Sequence, residues 1–341
     1  MKQGIIKRPM FIMLIITIGI IFMFLISLNS GAIRISPPDV LKTLAGMGTE
    51  KQELVLFDFR MPRMVIAILI GAGLAVSGAI LQGVSRNGLA DPGILGINAG
   101  AGLAVVIFIY FSQGSAMSSY DLPQQFTIFA MPFSAFAGAA LAAFLIYVIA
   151  WKNGVTPIRL ILVGIGVGAG FGAALLIFQL KMNPRDFMSA AIWLAGSIWG
   201  TNWKFVLSVL PWIMILIPYA MLKARYLDVL ALGDRLAVGL GTKVERERRI
   251  LLAVAVGLAG ACVSVGGGIG FLGLVAPHLA RRLVGSKHGV LIPASALMGA
   301  LILLMADFIG RSLLAPSEIP VGLVVSALGA PYFIYLLMKT R

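Results

Sequence analysis

Apolar residues along this chain gather into long runs separated by short polar connections. The runs fall near 10–29, 63–84, 93–112, 125–150, 157–180, 203–223, 249–267, 270–284, 289–310 and 320–338. Most are close to the roughly 20 residues that an α-helix needs to cross about 30 Å of hydrocarbon. The pattern therefore predicts an all-α integral membrane protein of about ten transmembrane helices. The run at 270–284 is short for a span. A further stretch, 187–199, is too short to cross and is expected to lie at the membrane surface or to re-enter it.

Composition supports the same reading. Of 341 residues, 60% are apolar and 12% charged, and the mean hydropathy is +1.00. A water-soluble domain of this size would not carry so much apolar surface, so lipid is the expected solvent and residues 1–341 are expected to form a single transmembrane domain. Lys2, Lys7 and Arg8 precede the first run. That run is long for a signal peptide and no small-residue cleavage site follows it, so a retained first helix is expected. The 40 glycines within and between the runs favour close helix packing. Cys262, the single cysteine, offers neither an intramolecular disulfide nor a metal cluster.

The formal charge of +14 would suit a nucleic-acid binder, but its placement argues for orientation instead. With the N-terminus in the cytoplasm and ten alternating spans, 18 of the 27 Lys and Arg fall in cytoplasmic connections. Arg34, Lys42, Lys51, Arg60, Arg63, Lys181, Arg185, Lys204 and Arg311 remain outside, offset by acids that include Asp39, Asp58, Asp121, Asp307 and Glu318. Positive-inside bias thus places both termini in the cytoplasm and leaves no role for nucleic acid.

A repeat is visible at two places. Gly83 to Pro92 and Gly268 to Pro277 both read G-x4-G-L-x2-P, each preceded by a Gly-Leu-Ala, at Gly73–Ala75 and Gly257–Ala259. The copies begin at opposite membrane faces. This is the signature of an inverted-topology repeat, with spans two to five and seven to ten as its halves, and such repeats are characteristic of transporters.

At these residues the sequence resembles the FecCD-type permease family, which imports iron-siderophores, haem or cobalamin. The matching stretches are Arg60-Met61-Pro62-Arg63, Asn87 to Gly96, Trp193-Leu194-Ala195-Gly196-Ser197, Leu230 to Asp234, Gly270 to His278, Glu318-Ile319-Pro320-Val321-Gly322 and Gly329-Ala330-Pro331. Gly88 departs from the proline usual in the family. The resemblance implies a multi-pass permease subunit of an ATP-binding-cassette importer in the cell membrane, most plainly for an iron-siderophore. Its implied partners are a separate ATPase, an extracytoplasmic substrate-binding protein and a second permease subunit, identical or related.

Three arginines stand at the expected outer ends of spans: Arg60, Arg63 and Arg311. By resemblance they meet acidic residues of the binding protein; by residue type alone they equally anchor helix ends at headgroups, or in the case of Arg311 pair with Asp307 one turn earlier. Asp307 is costly in an apolar run unless it is functional or neutralised, and neutralisation by Arg311 is the expectation. Inside, residues 226–249 form the longest polar connection. By resemblance this is the segment that seats in the ATPase, with Gly233, Asp234, Ala237 and Gly241 at the contact; without the resemblance a solvated basic loop fits as well. Gln82, Asn98 and Gln179 are candidates to line a pathway.

The chain lacks G-x4-G-K-[S/T], so it has no P-loop, and energy must come from another subunit or an ion gradient. His278 and His288 are expected to be structural, with no catalytic residues, metal site or cofactor. A self-sufficient secondary transporter is the rival reading, and the 226–249 connection separates the two, since such a transporter needs no docking element for an ATPase.

Overall fold

The computed structural model describes residues 2–30, 35–93, 96–113, 124–152, 154–315 and 317–339. Arg34, Asp121, Arg341 and residues 94–95 of the second family stretch lie outside them. The described residues are helical, without a strand. In chain order the helices are α1 (Lys2–Asn29), α2 (Pro37–Leu44), α3 (Glu50–Glu53), α4 (Met61–Ser85), α5 (Ile97–Gln113), α6 (Gln124–Ala150), α7 (Pro157–Gln179), α8 (Pro184–Leu194), α9 (Trp203–Ala231), α10 (Asp234–Gly239), α11 (Val244–Gly266), α12 (Leu272–Val284), α13 (His288–Leu313) and α14 (Val321–Lys339). A π-helical segment, Leu54–Arg60, joins α3 to α4. Among the described residues, eight helical stretches are long and apolar enough to cross a bilayer; α5 is an apolar helix of 17 residues and α12 has 13.

Helix α4 forms the centre. Of its most apolar window 78% is buried inside the chain, against 17% for α1 and α7. It packs against α13, α11, α9 and α12. Small residues make this approach possible. A Cβ on Gly71 would lie 2.4 Å from the Gly299 carbonyl oxygen, and one on Gly78 would lie 1.8 Å from that of Gly273. Backbones meeting this closely exchange many weak dispersion contacts, the main attraction left between helices when the solvent is itself apolar.

The packing has a reciprocal pattern. In one set α5 contacts α6 and α7, and α6 contacts α7; in the other α12 contacts α13 and α14, and α13 contacts α14. The lead helix of each set crosses to the opposite set, α4 to α12 and α13, and α11 to α5 and α6. The copies of the repeated motif nevertheless differ locally. Gly88 to Pro92 runs as turns ahead of α5, whereas Gly273 to Pro277 lies within α12.

Two boundaries differ from those read off hydropathy. The helix containing α4 begins at Glu50, well before the apolar run at 63, because Thr49 and Gln52 form a reciprocal cap: the Thr49 N–H donates to Gln52 Oε1 at 2.9 Å and the Gln52 N–H to Thr49 Oγ1 at 3.4 Å. Helix α9 likewise continues past the apolar run to Ala231, so much of the 226–249 connection is helical and α10 is its one separate piece. Residues 187–199 contain most of α8 followed by turns, short as expected.

Candidate functional site

The described charges and motifs concentrate at the two ends of the bundle and in one knot between them. At the end where α4 begins, Arg63 Nε donates to Asp307 Oδ1 at 2.8 Å and its Nη1 pairs with Glu318 at 2.8 Å. Arg311 Nε lies 3.1 Å from Asp307 Oδ2, and its Nη1 donates to the Ser30 carbonyl at 3.2 Å. Arg60, buried at the end of the π-helical segment, donates to the Leu28 carbonyl. Asp307, 1% exposed, is thus held between two guanidiniums.

This arrangement realises the expected Asp307–Arg311 pair and adds Arg63, 244 residues away, as a second partner. The three arginines tie the end of α1, the start of α4, the end of α13 and the approach to α14 into one cluster. Their side chains are drawn inward rather than spread across the surface. Glu318, about a third exposed, is the member nearest to water.

Two of the family stretches meet the α11–α12 connection. The Gly322 N–H donates to the Gly196 carbonyl at 2.9 Å, and the Gly268 N–H to that of Trp193 at 3.3 Å. The residues Trp193–Ser197, the connection from α11 to α12, and the start of α14 therefore form one backbone-to-backbone knot. The sequence marked each stretch separately but gave no sign that they touch.

At the opposite end, Asp234 opens α10 and is the hub. Arg248 Nη2 donates to both its oxygens at 2.9 and 3.0 Å, and Arg86 Nη2 donates to Oδ1 at 3.0 Å. Arg86 reaches it from a left-handed turn, φ +52°, that ends α4. Arg248 also donates to the Val155 carbonyl at 2.7 Å, linking the α6–α7 connection to the same hub. Lys223 and Glu247 pair at 2.7 Å between α9 and α11.

Of the four residues expected at a partner contact, Gly233 and Gly241 sit at the turns flanking α10 with φ of +102° and +78°. Such a backbone strains any residue with a Cβ. Asp234 turns toward Arg86 and Arg248, and Ala237 is fully buried on the inner face of α10. The exposed apolar surface of α10 and its C-terminal turn is Leu236, Val238 and Leu240, all more than 60% exposed.

Among the remaining candidates, Gln82 is buried and donates from Nε2 to the Gly273 and Leu274 carbonyls at 3.3 and 3.4 Å, tying α4 to α12. Gln179 is buried, and Asn98 is half-buried. His278 packs edge-on to the Tyr332 ring at 5.8 Å. His288 faces Asp228 through Nδ1 at 2.6 Å and donates its backbone N–H to the same oxygen at 3.0 Å.

Comparison with known proteins gives a consistent picture. Residues 19–339 match the model of the FecCD transport family. The chain is 62% identical to the iron(3+)-hydroxamate import system permease protein FhuG of Bacillus subtilis (strain 168) over 98% of both chains. It is 42% identical, over 98% of both, to the iron-uptake system permease protein FeuC of the same organism. Among solved structures it resembles an inward-facing metal-chelate-type ABC transporter, with a TM-score of 0.84, 29% identity and coverage of 96% of this chain and 99% of that one.

Proposed function

Because this chain belongs to the FecCD transport family, as the membrane permease subunit of an ABC importer, we propose that its cargo is a ferric hydroxamate siderophore. The observation that carries the choice is the 62% identity to a ferric-hydroxamate permease along the full length of both chains. Membership makes it a multi-pass protein of the cytoplasmic membrane and not an enzyme. An ATPase and a binding protein complete such importers.

The finer mechanism is also a proposal. Both termini are cytoplasmic, the helices α1, α4, α5, α6, α7, α9, α11, α12, α13 and α14 cross or enter the bilayer, and α10 faces the ATPase. The basic residues at that end, among them Arg86, Lys152, Arg235, Lys243, Arg246 and Arg249, support the orientation. Residues 226–249 act as the coupling segment: Leu236, Val238 and Leu240 seat in the ATPase, while Gly233 and Gly241 let α10 turn, and Asp234 and Ala237 hold it to the bundle. A push on α10 then passes through Asp234 to Arg86 on the central helix and to Arg248 on α11, one lead helix from each half. This is a lever for alternating access, since packed halves shift as units rather than deforming continuously.

On the outer face the binding protein docks over the arginine cluster. Arg63 is the one positioned to exchange partners, because a carboxylate of the incoming protein can compete with the rim residue Glu318. Arg60 and Arg311 contribute from beneath by fixing α1 and α13. The second permease packs along α7, whose Gly166, Gly170 and Gly172 have open space where a Cβ would go and so permit close approach of another helix.

The test is uptake of radio-iron bound to a hydroxamate, to citrate and to haem in cells with and without this chain, after ion gradients are dissipated and ATP preserved. Loss of hydroxamate-iron uptake alone in the deleted strain, with uptake in the parent independent of gradients, is expected. Loss of citrate or haem iron instead would reassign the cargo, and collapse with the gradients would overturn the ATP-driven reading.

A further inference from the structure

Beside the hub at Asp234, a cavity of about 540 Å³ opens between the last turn of α4, the end of α9 and the α12–α13 connection. Gln82, Arg86, Asp228, Arg281, Lys287 and His288 line it. Its charge is unbalanced. Asp228 is engaged with His288, and Arg86 reaches Asp234 through Nη2 alone, whereas Arg281 and Lys287 have no acidic partner among the described residues. Two buried wall atoms also lack a hydrogen-bond partner: Gln82 Oε1 and His288 Nε2, on side chains of residues 2% and 5% exposed. A buried polar atom is seldom left unmatched in a native protein, and the three cations around the cavity outnumber its one lining carboxylate, Asp228, so they repel one another unless a further anion lies between them.

We infer that this cavity binds a phosphate group. Two guanidiniums offer forked donors and Lys287 a point charge, an arrangement suited to phosphate oxygens. Gln82 Oε1 and, with the Nδ1–H of His288 donated to Asp228, His288 Nε2 are both acceptors, to be matched by hydroxyls carried on the ligand. Helices α4, α12 and α13 all begin or end around the cavity, which sets it at headgroup depth on the cytoplasmic side of the proposed topology. An anionic lipid of the inner leaflet and soluble phosphate share the chemistry. Occupancy would bridge Arg86, and through it Asp234 of α10, to Arg281 of α12, so it would stiffen the path by which α10 moves the bundle. That consequence rests on the proposed coupling role; the binding itself does not.

The assembled importer is reconstituted in nanodiscs of phosphatidylcholine with or without phosphatidylglycerol, and the retained lipid is counted by native mass spectrometry. A third arm adds inorganic phosphate to phosphatidylcholine discs and follows the ³¹P linewidth. Wild type is expected to retain phosphatidylglycerol in preference to phosphatidylcholine, and Arg281→Gln with Lys287→Gln to weaken retention roughly tenfold, the loss expected for charge-assisted hydrogen bonds. Arg281→Lys should keep part of the preference, and Lys152→Gln, a base at the same end but outside the cavity, all of it. Line broadening by inorganic phosphate without lipid preference would support the site and assign it to soluble phosphate. No preference and no broadening in wild type, or equal losses in Lys152→Gln, would overturn it. Hydrolysis per iron delivered that is unchanged by the double substitution would overturn the link to coupling while leaving the binding result to stand on the lipid count.

Discussion

Asp307→Asn removes the negative charge that lies between Arg63 and Arg311 and leaves two largely buried guanidiniums facing a neutral amide. Breaking a buried pair by removing one partner costs about 3–5 kcal/mol. A marked fall in the melting temperature of the detergent-purified chain is therefore expected. Glu318→Gln, at the rim, should alter stability by less than about 1 kcal/mol, yet it frees Arg63 and is expected to tighten binding-protein docking at low salt by about fivefold. Pull-down across a salt series reads this directly, and unchanged or weaker docking would refute partner exchange at Arg63. The sequence supplied Asp307–Arg311 because four-residue spacing on a helix puts both on one face. It could not supply Arg63–Asp307, because no local spacing encodes a contact across 244 positions.

Among the elements, α10 and the α4–α13 crossing carry the sharpest expectations. Leu236→Asp with Leu240→Asp places charge on the exposed face of α10, and recovery of the ATPase with the permease is expected to fall at least about tenfold. Asp234→Ala leaves that face intact but releases Arg86 and Arg248, so the ATPase should still bind while the ATP hydrolysed per iron delivered rises. Equal association and normal stoichiometry in both variants would remove α10 from the coupling path. At the crossing, Gly299→Leu cannot be accommodated beside the Gly71 carbonyl oxygen, which already lies 2.2 Å from a modest Cβ. A loss of at least about 1–3 kcal/mol is expected, read as reduced accumulation in the membrane and a lowered melting temperature. Hydropathy located α4 and α13 but not the start at Glu50 of the helix that contains α4, nor α10, since it measures what lipid can solvate and not where backbone hydrogen bonding stops. The Thr49–Gln52 cap was the available signal for the early start before α4; the turn into α10 had its signal in Gly233.

For the molecule as a whole, the sparse burial of α7 against the density around α4 leaves one flank for lipid or a second permease. Gly170→Leu is expected to leave the isolated chain folded, because among the described residues nothing beyond its own helix lies within 4 Å of a Cβ there, and to weaken permease pairing measured by cross-linking in native membranes. Pairing equal to wild type would move the interface off α7. The sequence by itself determined the solvent of this protein, its helical class, its orientation expectation and its family, because all of these follow from properties summed along the chain: apolar run length, charge placement and short motifs. Only the tertiary structure decided which charges neutralise one another, that Trp193–Ser197, Gly267–Gly268 and Gly322 share one knot, that Ala237 faces inward while Leu236 and Leu240 face out, and that Arg86 of the central helix reaches the hub at Asp234. Those outcomes depend on which helix faces meet, and helix faces that are apolar all round do not announce their neighbours; the choice is made by the few glycines that let two backbones touch.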